Sequence, residues 1–136
     1  MPSITFPARF EFLDEIRHFV GEEARRAGFN EKEIYSIQLA TDEAASNVIE
    51  HAYQGIPDGE IEISCEFRDN ALVIVLRDQG KPFDPRKVRV PDLKADLSKR
   101  QIGGLGLYLM RRLMDEVRFE PAGERGNLLT MVKRRK

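Results

Sequence analysis

Ala71-Leu72-Val73-Ile74-Val75-Leu76-Arg77-Asp78-Gln79-Gly80 is the stretch on which the fold turns. Its continuous apolar run, half of it β-branched, predicts a buried central strand. The run ends in a carboxylate, with a glycine two residues further on. A carboxylate at a strand terminus can accept a hydrogen bond from a ligand amino group, and Gly80 would let a flat ring approach the backbone. Asp-x-Gly is equally the wording of an ordinary strand-end turn. The flanking segments separate the two readings.

Upstream, Asp69-Asn70 suits a tight hairpin turn joining residues 71–77 to a partner strand over 60–67, which Asp58-Gly59 introduces. Before that hairpin, Asn30 and Glu33 form a capping-box-like start to a helix. Its apolar stripe is Ile34, Ile37, Thr41, Ala44, Val48 and Ala52, and it breaks at Gly55 and Pro57. An earlier helix runs from Phe10 to Ala27 on Phe12, Leu13, Ile16, Phe19, Val20 and Ala24, with Gly28 placed as its C-terminal cap. Residues 3–6 read as a short strand stopped by Pro7.

Downstream, residues 79–103 hold Gly80, Pro82, Pro85, Pro91 and Gly103, with room for only a short helix near 92–100. A loop of this length inside a compact domain is often a lid or binding loop. A third helix follows over about 105–114, with Leu105, Leu109, Leu113 and Met114 available to the core. Strands over 116–120 and 127–133 close the chain around the turn Pro121–Gly126. Strand, two helices, hairpin, long loop, helix, hairpin is the order of an α+β two-layer sandwich. The sheet is expected to be mixed but mostly antiparallel, with three main helices on one face and residues 1–136 forming a single domain.

Composition narrows the function classes. Twenty-two Lys and Arg balance 23 Asp and Glu, so there is no bulk attraction to nucleic acid. Cys65 is the only cysteine and there are two histidines, which excludes a disulfide framework and a Cys- or His-rich metal centre. Neither a signal peptide nor an apolar run long enough to span a membrane is present in the sequence, and the expectation is a soluble cytoplasmic protein.

Three clusters could carry chemistry. Glu43, Asn47 and His51 follow one another at intervals of four on the second helix and share a face. A carboxylate and an amide one turn apart can serve a hydroxyl and a hard cation, because Mg²⁺ takes oxygen ligands. Ala40, Ala44 and Ala45 would allow close approach to that helix; a solvated polar face fits the same residues. Asp78 and Gly80 are the second cluster. The third, Gly103-Gly104-Leu105-Gly106-Leu107, opens the third helix, where free N–H groups and the helix dipole favour an anion. A hinge or a close packing contact would use the same glycines. Neither the dinucleotide fingerprint nor a P-loop is present.

Order and spacing join the clusters. Asp42-Glu43-Ala44-x-x-Asn47, then Asp78-x-Gly80-x-Pro82-Phe83-Asp84-Pro85, then Gly104-Leu105-Gly106-Leu107-Tyr108-Leu109 resembles the GHKL ATP-binding fold, in particular its anti-sigma-factor serine kinase branch. The resemblance runs from residue 3 to residue 134. It implies ATP and Mg²⁺ as cofactors, Asn47 as the Mg²⁺ ligand and Glu43 as the general base for a serine or threonine hydroxyl. It implies Asp78 and Gly80 at the adenine, residues 81–103 as the ATP lid, and the backbone of Gly104, Leu105, Gly106 and Leu107 at the phosphates. Lys81, Arg86 and Arg100 are candidates for further phosphate contacts.

The sequence departs from the branch at one place. Many members carry Gly-Thr after the last turn, whereas this chain has Gly126-Asn127, with Thr130 as the nearest threonine. Thr130 is therefore a candidate adenine contact whose role the resemblance leaves open. His51 is expected to be a satisfied core or boundary histidine. By resemblance the partners are a sigma factor and a STAS-type anti-anti-sigma protein that receives the phosphate. A homodimer through strand 3–6 and the first helix is implied as well. The alternative is a binding module of the same fold that uses ATP as a switch without transferring phosphate.

Overall fold

The computed structural model describes residues 2–82, 104–121 and 126–135, with the side chains of residues 104 and 105 outside that description. In chain order the elements are β1 (Ser3–Pro7), a short 3₁₀ turn (Phe10–Phe12), α1 (Leu13–Arg26) and α2 (Glu31–Asn47). A π-helical turn (Val48–Ala52) prolongs α2, and β2 (Glu60–Arg68), β3 (Ala71–Asp78), α3 (Gly104–Leu113), β4 (Glu116–Pro121) and β5 (Asn127–Arg134) follow. The expected short helix near 92–100 lies outside the described residues.

The strands form one sheet in the order β1-β2-β3-β5-β4, which puts the apolar run of β3 at its centre. Among the described residues every pairing is antiparallel, so the expected mixture of directions is absent there. Asp69 and Asn70 turn the β2–β3 hairpin with φ of 53° and 62°, the left-handed pair that a two-residue turn needs to match strand twist.

Strand alternation sends Ile61, Ile63 and Cys65 of β2, Leu72, Ile74 and Leu76 of β3, and Leu129 and Met131 of β5 to one face. There they meet Ile16, Val20 and Ala24 of α1 and the α2 stripe in one buried cluster. The α2 stripe is the expected one, and Ala40 and Ala45 are buried beside it. That helix begins with a full capping box: Asn30 Oδ1 accepts from Glu33 N at 2.8 Å, and Glu33 Oε1 accepts from Asn30 N at 3.0 Å.

The α3 stripe is shifted from expectation. Leu107, Met110 and Met114 are the buried residues, while Leu109 and Leu113 are half-buried. The helix starts one residue earlier than expected, at Gly104, and its apolar residues are dense enough to support either phase. Burial pushes the Cys65 thiol up to about 12, so it behaves as a small apolar side chain.

Candidate functional site: a cleft between α2, β3 and β5

The site grows from the back of α2. Its core stripe is packed against α1, α3 and the sheet, which leaves Glu43, Asn47 and His51 half-buried along one face. Asp42 is committed elsewhere, accepting from Arg17 Nη1 of α1 at 2.7 Å. Among the described residues Glu43 has no such partner. Burial, and then the charges of Asp42 and Glu50, raise its carboxyl above the ordinary glutamate value of 4.5.

Two buried polar atoms of this face lack hydrogen bonds: Asn47 Oδ1 and His51 Nε2. Buried polar atoms are normally satisfied, so an orphaned pair in one cleft marks a place built for something else. The expectation of a satisfied His51 is thus corrected, since its nearest carboxylate, on Glu50, stands at 3.7 Å.

At the end of β3, Asp78 is only 6% exposed. Its Oδ1 accepts from Gly80 N at 2.8 Å and from Asn127 Nδ2 at 2.9 Å. Gly80 lies so close to the backbone of Ala52 that a Cβ would collide with it, and Lys81 N donates to Ala52 O at 2.7 Å. Tyr53 completes the join: its hydroxyl donates to Glu60 O and accepts from Gln79 N, both at 2.7 Å. The same ring covers Gly59, where a Cβ would come within 2.5 Å of it. The tail of α2, the start of β2 and the end of β3 are therefore fastened at one point.

Asn47, His51, Ala52, Asp78, Lys81 and Asn127 all line one cleft, with Phe119 and Pro121 of β4 on its far side. Gly106 meets Glu43 where α3 begins; a Cβ on that glycine would stand 2.9 Å from Glu43 Oε2. The cleft thus has a carboxylate and backbone grip at the β3 end; Glu43 and Gly106 stand outside its lining, one helical turn along α2 from Asn47. Leu107 turns its side chain into the core, so only its backbone remains for a ligand. Gly104 and Leu105 begin the same turn. Arg86 and Arg100 lie outside the described residues, as does the expected lid beyond residue 82.

Thr130 is not brought to the cleft. It pairs with Val75 of β3 and Arg118 of β4, and these positions face away from the helices. Asn127 is three residues earlier and has the opposite parity; it pairs with Asp78 on the helix side. Of the two, Asn127 is the one that stands beside Asp78. Tyr53 and the backbone of Ala52 were not among the expected site residues, and no motif in the sequence announces them.

Residues 6–133 match the family model for the histidine kinase-like ATPase domain. The chain belongs to the histidine kinase-like ATPase family. Within it the chain falls in the anti-sigma-factor serine kinase branch of the GHKL ATPases. It is 34% identical over 121 residues to the serine-protein kinase RsbW of Listeria monocytogenes, covering 86% of this chain and 77% of that protein. RsbW of Bacillus subtilis is 34% identical over 119 residues, covering 84% and 74%. Among solved structures, the RsbU and RsbW domains of Rv1364c from Mycobacterium tuberculosis superpose with a TM-score of 0.68 at 19% identity. That match covers 99% of this chain and 33% of the larger one. The catalytic domain of the histidine kinase ThkA has a TM-score of 0.56 at 16% identity, and the two likenesses share the histidine kinase-like ATPase fold.

The residues fit the nucleotide that the family implies. Asn47 Oδ1 is a buried oxygen without a partner, the kind of donor Mg²⁺ accepts. Among the described residues no three His, Cys, Asp or Glu side chains gather as a metal cage, so such an ion would complete its shell with phosphate oxygens and water. No helix among the described residues is long and apolar enough to cross a membrane.

Proposed function

We propose that this chain transfers a phosphoryl group from ATP to a serine or threonine of a partner protein, with Glu43 as general base. The observation that carries this reading is the contact of Glu43 with Gly106, which sets a carboxylate of raised pKa beside the glycines that open α3. Phosphoryl transfer demands positioning and charge stabilisation more than covalent help. A base works best when its pKa approaches the working pH, and partial burial moves Glu43 in that direction.

When bound, ATP with Mg²⁺ supplies the γ-phosphoryl group. Asp78 holds the base by its exocyclic amino group, and Gly80 leaves room for the ring. Asn47 Oδ1 would hold the Mg²⁺. The backbone N–H groups of Gly104 to Leu107, at the positive end of α3, would hold the phosphates. Glu43 accepts the proton of the incoming hydroxyl as its oxygen bonds to phosphorus and ADP leaves. The relatives named serine-protein kinase support transfer to a serine of a protein. A STAS-type phosphoacceptor and a sigma factor as the protein restrained complete the proposal, on the sequence resemblance. A homodimer through β1 and α1 and a cytoplasmic setting belong to the same reading.

The test is Glu43→Gln. Transfer to the antagonist protein should fall by about 10²–10⁴-fold, while ATP affinity stays within about threefold of wild type. Equal phosphoprotein formation by the variant would remove Glu43 from the reaction. A wild type that binds ATP yet labels no partner would leave a nucleotide-switched binding module.

A further inference from the structure

We infer that Arg17 of α1 is a positioning residue for Glu43: it draws the neighbouring carboxylate, Asp42, onto α1 and leaves Glu43 as the acidic side chain of this turn that faces α3. The inference rests on Glu43 being the base of the proposed transfer.

Arg17 meets α2 at two levels. Its backbone carbonyl accepts from Gln38 Nε2 at 3.0 Å, and its Nη1 donates to Asp42 Oδ1 at 2.7 Å. Gln38 and Asp42 are four residues apart, so they lie one above the other on a single stripe of α2. One turn beyond Arg17 on α1, Gly21 is buried, and a Cβ there would collide with the Gln38 amide. These contacts make a polar seam beside the apolar packing of Ile16, Val20, Ile37 and Ala40. Apolar burial is non-directional, whereas hydrogen bonds demand an angle as well as a distance. The seam therefore fixes the rotation of α2 about its own axis.

That rotation decides where residue 43 goes. Successive residues of a helix stand about 100° apart around the axis. With Asp42 held to α1, Glu43 is turned toward α3, where it meets Gly106. Two adjacent carboxylates are thus sent to different helices, and one arginine makes the choice.

The charges divide in the same way. Asp42 and Glu50 both act against ionisation of Glu43, Asp42 the more strongly, while α3 presents Gly106 there, which carries no charge. Arg17, which also pairs with Asp14 of its own helix, is the cation that answers Asp42. Arg17 and Asp42 are both half-buried, so solvent ions screen the pair less than one in open water. Without Arg17 the Asp42 charge would stand uncompensated beside the base. Without Asp42 the positive charge of Arg17 would be left over. The two losses push Glu43 in opposite directions.

The experiment follows the Glu43 carboxyl carbon by NMR against pH, in the intact ¹³C-labelled chain without nucleotide or Mg²⁺. The signal is assigned by its loss in Glu43→Gln. Wild type should titrate above 4.5. In Arg17→Ala the midpoint should rise by about half a pH unit or more, and in Asp42→Asn it should fall by about as much. Arg17→Lys, which keeps the charge, should stay within about 0.2 of a pH unit of wild type. Asp42→Asn preserves the size of the side chain and carries the test if Arg17→Ala does not unfold cooperatively. A seam that only joins the helices would lower the melting temperature of both variants and leave the Glu43 midpoint unmoved, which would overturn the inference. Equal transfer by Glu43→Gln would instead remove the base itself, and that failure is read in a different assay.

Discussion

Gly106 of α3 stands against the carboxylate of Glu43 of α2, with 2.9 Å between Oε2 and the place a Cβ would take. Two elements distant in sequence thus meet at a position where a side chain larger than hydrogen would disturb that carboxylate. The contact predicts opposite effects on fold and reaction for Gly106→Ala. Alanine should stabilise α3 by up to about 1 kcal/mol, since glycine is a poor helix former. Pushing Glu43 aside should lower transfer about tenfold or more, because small misplacements of catalytic groups are costly. A melting curve and a transfer assay check the pair; a lower midpoint with full transfer would mean the close contact is structural only.

The raised pKa of Glu43 gives a pH signature. A carboxyl whose pKa is higher in the fold than in the unfolded chain contributes stability below its ordinary value of 4.5, and loses it as pH rises through the folded value. Glu43→Gln has no such loss. The variant should therefore gain on wild type in chemical denaturation as pH rises above 4.5. Transfer by wild type should climb over the same window, as the base ionises, and that limb should vanish from the residual rate of the variant.

Asn47→Ala separates metal binding from folding. Asn47 Oδ1 makes no hydrogen bond, so its removal should change unfolding free energy by less than about 1 kcal/mol. ATP affinity in Mg²⁺ should drop to the value that wild type shows in a chelator. Titrations with and without Mg²⁺ decide it; a variant that keeps the full Mg²⁺ enhancement would take Asn47 out of the metal site.

Tyr53→Phe tests the fastening of the cleft. The change strands Glu60 O and Gln79 N without the hydroxyl that serves both. Both bonds are only partly buried, so their loss should cost about 0.5–1.5 kcal/mol each and lower the denaturation midpoint modestly. ATP binding should weaken too, as Gln79 adjoins Asp78. Unaltered stability would show that water replaces the hydroxyl.

Much of this was legible before any coordinates. Asn30 and Glu33 announce their helix because the capping box is local chemistry, and Asp69-Asn70 announces its hairpin for the same reason. Glu43, Asn47 and Asp78 stand out because the order of three weak motifs is far more specific than any one of them. Thr130 was misplaced through chemistry read without parity: residues 127 and 130 are an odd number apart, so one β-strand cannot turn both to the same face. Asn127 meets Asp78 through the non-local pairing of β3 with β5, a register that no turn in the sequence sets. Tyr53 gave no such signal, since its partners are backbone groups, and backbone partners leave no trace in residue type. The phase of α3 was missed because leucines and methionines surround that helix and burial alone chooses among them.

The π-helical turn after Asn47 has a genetic consequence. Tyr53 N reaches back five residues to Val48 O, at 3.1 Å, so the helix tail holds one residue more than a regular α-turn would. Loss of a single codon from this turn would let the backbone relax into ordinary helix, a change that no local propensity opposes. The five-residue reach would become a four-residue one, so Tyr53 N would still meet Val48 O and its hydroxyl would stay at the β2–β3 junction. The loss would fall on the residues between, because Ile49, Glu50 and His51 would be re-indexed around the axis while Asn47 and Tyr53 kept their places. The shortest in-frame deletion in the gene would thus spare the fold and change only which side chain stands where His51 does now.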